Sequence, residues 1–332
     1  MSRLHSVLGA IMAAALVAAA APALAATTLK VSLLVPLDST QGQAAQRFKE
    51  LVEEKSGGTL EVRLFPSSQL GEIYEVIDAQ QAGSVEMSLL GYDTFSKFSP
   101  TLTLAGLPFI FADRAHAYKF YESQMHEDIK QEILDNKAVR VLGNAEWNQG
   151  PYKILLSKDP VVDTDAMQGV PMRVPANEVD LLIWGEAIGA NVTPVPWPEA
   201  PLALRQGLVR AIELPADFVR PHKFYENAKY LAETRHRYQV LYPTISEKTW
   251  QELSAEEQQA LLEASKEAGL GYTDAVQTAW EDDQEFLKKE GVVIVDFDIS
   301  PWHEAAVEKA RRLEENGTWA EGLVEKVMAL NE

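Results

Sequence analysis

Cysteine is absent from the 332 residues. Its absence excludes both disulfide staples and a lipidated cysteine anchor, so stability has to come from packing. Long apolar runs are confined to the N-terminus, where the stretch from Val7 to Ala20 is shorter than the ~20 residues a membrane-spanning helix requires. Positive charge is scarce: 30 Lys and Arg face 49 Asp and Glu, a formal net charge of −19 that disfavours nucleic acid and anionic lipid as partners. No Gly-rich phosphate loop, nucleophile elbow or dinucleotide fingerprint occurs. The six histidines are scattered without metal-ligand spacing, so neither a catalytic residue, a metal nor a cofactor is expected.

Arg3, the apolar run and Ala23-Leu24-Ala25 together read as a secretory signal over residues 1–25, which predicts export to the periplasm and a soluble mature chain. The remainder is long enough for two lobes.

Apolar residues alternate at Leu29, Val31, Leu33 and Val35, and Ala45, Phe48, Leu51 and Val52 then fall on one helical face before Gly57-Gly58. A strand follows at 60–65. The alternation continues with helices near 72–82 and 126–136 and strands at 85–90 and 138–142, predicting a mainly parallel α/β sheet. A second series starts near Gly150, with strands around 152–156, 172–174, 192–195 and 209–213 and helices near 177–188 and 198–206. Ser254-Ala255-Glu256-Glu257 has capping-box spacing, and the helical stripe Leu261, Ala264, Ala268, Tyr272, Ala275, Ala279 runs on toward Gly291. A helix of that length would be roughly 55 Å long and cross both lobes, although Gly269 and Gly271 could divide it. The expected organisation is a first lobe of 26–149 plus about 236–277 and a second of 150–235 plus about 278–332, hinged around a central ligand cleft.

Five segments, in order, carry a resemblance: Phe48-x-x-x-Val52-x-x-x-Ser56-Gly57-Gly58, Phe65-Pro66-Ser67-Ser68-Gln69-Leu70-Gly71, Leu107-Pro108-Phe109-Ile110-Phe111, Gln168-Gly169-Val170-Pro171-Met172-Arg173-Val174-Pro175, and Pro196-Trp197-x-Glu199-x-x-x-Ala203-Leu204-x-x-Gly207. The set resembles the solute-binding proteins of tripartite ATP-independent periplasmic (TRAP) transporters, the DctP family. The resemblance implies a two-lobed α/β periplasmic binding fold with a long helix spanning both lobes. It also implies a small organic acid as ligand, and as partners the small and large subunits of an ion-driven membrane permease.

It further implies that Arg173 holds the ligand carboxylate, a role that suits a planar, permanently charged guanidinium. A second family arginine falls in Gly150-Pro151-Tyr152-Lys153, on Tyr152 without a gap or on Lys153 after a shift of one. Neighbours on a strand face opposite ways, so only one can enter the cleft. Polar positions of relatives become Leu34, Ile73, Gly91 and Leu214. With Tyr92, Trp147, Tyr152, Trp197 and Phe218 as further candidate wall residues, these predict a monocarboxylate with an apolar or aromatic body. C4-dicarboxylates and sugar acids are the alternative ligands. Glu199 and Glu213 are expected to brace the lobes. A ligand-presenting receptor subunit would carry the same pocket, and a periplasmic hydrolase or lyase is the third possibility.

Overall fold

The computed structural model describes residues 26–149, 152–175 and 178–331, so the signal expected at 1–25 lies outside the described residues. Strand β1 (Thr27–Leu33) leads into helix α1 (Thr40–Lys55), whose first turn is capped by Ser39 Oγ accepting from the Gly42 amide at 3.0 Å. Gly57 and Gly58 follow at φ 62° and 83°, a left-handed pair that ends the helix. Next come β2 (Leu60–Phe65), α2 (Ile73–Ala82), β3 (Met87–Gly91), a 3-10 segment over Tyr92–Phe98, α3 (Pro100–Ala105), α4 (Arg114–Tyr121), α5 (Gln124–Lys137) and β4 (Val139–Val141).

The chain then crosses to a second sheet through β5 (Lys153–Ser157), β6 (Pro171–Val174), α6 (Glu178–Asp180), β7 (Asn191–Pro194), α7 (Ala200–Gln206), β8 (Ala211–Pro215) and β9 (Tyr230–Ala232). The helix expected near 177–188 is a single α-turn followed by a π-helical stretch, Leu181–Ala187. The chain returns in β10 (Leu241–Ser246) and α8 (Glu247–Glu252), runs through α9 (Ala255–Lys289), adds β11 (Val293–Val295) to the second sheet, and ends in α10 (Ser300–Glu315) and α11 (Leu323–Ala329).

The sheets are ordered β2-β1-β3-β10-β4 and β11-β9-β5-β8-β6-β7. Both are mixed rather than mainly parallel. β10 lies antiparallel to β3 and β4, and β5 antiparallel to β8 and β9, because each arrives from the other lobe and enters its sheet in the reverse direction.

Where the lobes join, residues 147–149 and 152–153 lie beside the segment 237–241. Leu241 donates to the Trp147 carbonyl at 2.7 Å, Gln149 to Gln239 at 2.8 Å and Lys153 to Arg237 at 2.9 Å. The third crossing is α9, one uninterrupted helix of 35 residues and roughly 52 Å. Its first half packs Leu261, Ala264 and Ala268 into the first-lobe core, and its second half packs Trp280 and Leu287 into the second. The last helices strap both lobes: His116 Nε2 lies 2.7 Å from the Val327 carbonyl, and Trp302 donates to the Thr164 carbonyl at 3.2 Å. Among the described residues no helix is long and apolar enough to cross a membrane.

Candidate functional site

Three buried cations meet where the sheets face each other, each brought there by a different element. β6 carries Arg173, whose neighbours Met172 and Val174 enter the large core. Its Nε donates to the Val195 carbonyl at 3.0 Å, its guanidinium lies 5.5 Å from the centre of the Trp197 ring, and Nη1 stands 3.6 Å from Glu213 Oε1. That last separation is an ion pair too long for a hydrogen bond. Arg173 is only 3 % exposed, and burial pulls its pKa below the ordinary guanidinium value, with Glu213 opposing the shift.

β5 supplies the second cation. Ile154 and Leu156 fill the second-lobe core, and Lys153 takes the opposite face, with Nζ 3.2 Å from Glu213 Oε2 and 3.8 Å from Asp93 Oδ2. Glu213 alternates in the same way between Ile212 and Leu214 on β8. Burial pushes the Glu213 pKa up, but Lys153, His236 and Arg237 overcome it and hold the carboxyl well below the usual range. His236 Nε2 lies 3.5 Å from Glu213, and burial holds this imidazole down at about 4, neutral at neutral pH.

The third cation, Arg237, comes from the crossing segment. It donates from Nη1 to Asp180 Oδ2 at 3.0 Å, keeps Nη2 in ion-pair range of Oδ1 at 3.0 Å without a hydrogen bond, and donates from Nε to the Gly106 carbonyl at 2.7 Å, joining α6 of the second lobe to the first. Burial lowers its pKa, and the Asp180 carboxylate overrides that and raises it.

A purely polar corner completes the site. Gln239 Nε2 donates to Asp93 Oδ1 at 2.7 Å, while Gln239 Oε1 and Gln149 Oε1 are buried without a hydrogen-bond partner. All three side chains converge on Gly91: a Cβ there would stand 2.4 Å from Gln239 Nε2, 2.7 Å from Asp93 Oδ1 and 3.4 Å from Gln149 Oε1. Only glycine leaves them that space.

Of the residues expected at the site, the structure brings together Arg173, Trp197 and Phe218, the last two with ring centres 5.4 Å apart. Four others are placed differently. Trp147 lies in the first-lobe core against Phe48 and Tyr272, donating to Ser265 Oγ at 3.2 Å, because α9 offers it the bare surface of Gly269. Leu214 points into the second-lobe core as the strand alternation requires. Tyr152 turns away from Lys153, donating to Glu233 at 2.7 Å and packing on Trp280; burial and Glu233 push its phenol up to about 12. Tyr92 sits among Tyr121 and Tyr242, and its neighbour Asp93 reaches the site instead. Leu34 and Ile73 are half-buried against the large core.

Asp93, Gln149, Asp180, His236, Arg237 and Gln239 were missed. One signal was available: Arg237 and Gln239 alternate with Tyr238 and Val240, a period-two pattern that puts two polar groups on one side of an extended segment.

The profile of the family described as bacterial extracellular solute-binding protein, family 7 (DctP), matches residues 31–316. The chain is 32% identical over 313 residues to the 2,3-diketo-L-gulonate-binding periplasmic protein YiaO of Escherichia coli, covering 93% of each. Among solved structures it is similar to a TRAP periplasmic solute-binding protein of Roseobacter denitrificans with bound L-galactonate, at 26% identity and TM-score 0.81, covering 93% of this chain and 100% of that one. A Sulfurospirillum deleyianum homologue with bound succinate aligns at 27% identity and TM-score 0.81, covering 92% and 100%.

Proposed function

The chain belongs to the bacterial extracellular solute-binding proteins of family 7, the TRAP-type periplasmic receptors for small acids, and from that premise we propose that it captures a small polar organic acid on Arg173 and delivers it to a membrane permease. One observation carries the reading. Arg173 is buried and charged, is held in place through Nε, and its Nη atoms make no hydrogen bond with any described residue. A desolvated guanidinium with free donors is matched by a carboxylate, which can take two parallel hydrogen bonds from it.

The burial also defines the mechanism. An acid reaches Arg173 only when the lobes part, and the paired crossing segments with α9 are the elements about which they would turn. Closure then brings Asp93 and Arg237 against second-lobe partners around the bound acid. Family members are binding proteins, so binding without turnover is the expected activity. Tyr92 and Trp147 are engaged in the cores and Tyr152 packs on Trp280, which leaves only Trp197 and Phe218 beside Arg173 and favours a polar ligand over the aromatic acid expected from sequence. The 2,3-diketo-L-gulonate and succinate named for relatives support a sugar acid or a dicarboxylate.

The test is a thermal shift of refolded, ligand-free protein against a panel of small acids. An acid at 100 times its Kd should stabilise the wild type by ~2.7 kcal/mol. Arg173→Ala should melt cooperatively yet show no shift. A variant that still responds to the same acid would overturn the assignment.

A further inference from the structure

We propose that Lys97, seated on the rings of Tyr74 and Phe98 at the mouth of the cleft, is the residue that draws in the acid anion before it passes to Arg173. The proposal rests on acid capture by Arg173 and concerns the approach to that site.

Long-range charge works against capture. The chain carries a formal net charge of −19, and a field of that sign repels an anion. The buried network does not reverse it. Lys153, Arg173 and Arg237 are matched in number by Asp93, Asp180 and Glu213, and burial holds the His236 imidazole down at about 4, so it adds no charge at neutral pH. Attraction has to come from a cation outside the network.

Topology puts Lys97 beside the way in. The 3-10 segment Tyr92–Phe98 leaves the carboxyl end of β3, and α2 follows the carboxyl end of β2, the edge of a parallel unit over which ligands bind. Asp93, on the first turn of that segment, is the network residue that solvent still reaches: its side chain is 16 % exposed, against 5 % or less for the other five. Lys97 stands four residues further along, roughly 8 Å at ~2 Å per residue. That is about one Debye length in physiological salt.

Its seat keeps the charge available. Lys97 is exposed, its Nζ lies 3.1 Å from the centre of the Tyr74 ring and 5.1 Å from that of Phe98, and it makes no ion pair with any described residue. Its neighbour Lys137 is instead tied to Asp78 at 2.8 Å. An aromatic face attracts an ammonium without neutralising it, so the rings fix Lys97 in place and leave its full charge for an anion. The same role accounts for Tyr74, a ring left 42 % exposed.

Stopped-flow fluorescence of refolded, ligand-free protein tests this, with L-galactonate and succinate, the acids bound by two relatives, as probes, together with any acid that the thermal-shift panel adds. At low ionic strength Lys97→Met should associate about threefold more slowly than wild type with its dissociation rate unchanged, Lys97→Glu about tenfold more slowly, and Lys97→Arg at the wild-type rate. The differences should vanish in about 1 M NaCl, where charges are screened beyond ~3 Å. Lys289→Met removes the same charge from the exposed second-lobe end of α9 and should leave the association rate unchanged. If Lys97→Met fails to fold, Lys97→Glu carries the comparison. Wild-type association by the folded Lys97 variants at low salt, or equal slowing by Lys289→Met, overturns the proposal and leaves capture by Arg173 standing. If no acid binds the wild type, capture by Arg173 falls and the proposal falls with it.

Discussion

The Lys153 ammonium stands 3.2 Å from one oxygen of Glu213, while the other oxygen of the same carboxylate looks toward Arg173 at 3.6 Å. Lysine and arginine thus divide one buried anion between them. The lysine has the closer share, which leaves the arginine incompletely satisfied. A binding site needs such an arrangement: a cation stable enough to be buried, and short of one partner.

Removing the lysine should therefore have two consequences. In Lys153→Met the volume is kept but Glu213 loses its nearest cation, and breaking a buried pair typically costs ~3–5 kcal/mol. Glu213 is then free to move onto Arg173 and compete with the ligand. Urea denaturation should report the loss of stability, and calorimetry a weaker affinity for acids. Stability within 1 kcal/mol of wild type would mean that the pair contributes little.

The two glycines of α9 make a controlled comparison. A Cβ at Gly269 would stand 2.6 Å from Trp147 Cδ1 and 3.0 Å from Glu146 Cβ, whereas one at Gly271 would have no neighbour within 4 Å. Gly271→Ala should stabilise by up to ~1 kcal/mol through helix propensity. Gly269→Ala gains the same propensity but forces Trp147 out of place, a net loss of ~1–3 kcal/mol. Opposite shifts in Tm check the pair.

Asp217 predicts a pH dependence. It is buried beside α9 with Oδ1 unpartnered, and burial, reinforced by the Asp283 carboxylate, raises its pKa to about 7. Asp283 is itself tied to Arg220 at 2.8 Å. Between the ordinary carboxylate value and about 7 the folded chain holds a proton that the unfolded chain has released. The Asp217 contribution to stability therefore falls as pH rises through that window, and is constant above it. Asp217→Asn keeps the group neutral throughout, so its gain over wild type should grow from pH 4 to pH 7, to at most about 4 kcal/mol, and then level off. Melting curves at pH 4, 5.5, 7 and 8.5 measure this; a gain independent of pH would mean that Asp217 is ionised in the folded protein.

Local patterns made much of the fold readable. The Ser254/Glu257 capping box and the stripe along α9 announced a helix long enough to cross both lobes, and alternation announced β1. β10 was not readable, because all six of its residues are buried and Pro243 interrupts them, so the strand shows no period-two contrast. The reversed strands in both sheets also escaped, since direction within a sheet depends on where the chain goes between strands.

At the candidate site, the ordered family segments pointed to Arg173, and strand geometry stated the choice between Tyr152 and Lys153 without resolving it. Hydrophobicity does not report which side a ring faces. Trp147 and Trp197 look alike in sequence, yet one packs on Gly269 within a core and the other stands near Arg173. The sequence by itself determined most of the strands and helices and the two-lobed organisation, and it singled out one arginine through a motif. Tertiary structure alone decided the ionic network, because Asp93, Lys153, Glu213 and Gln239 come from strands and connections distant along the chain. Only the crossing segments and the approach of the two sheets bring their charges within 4 Å of one another.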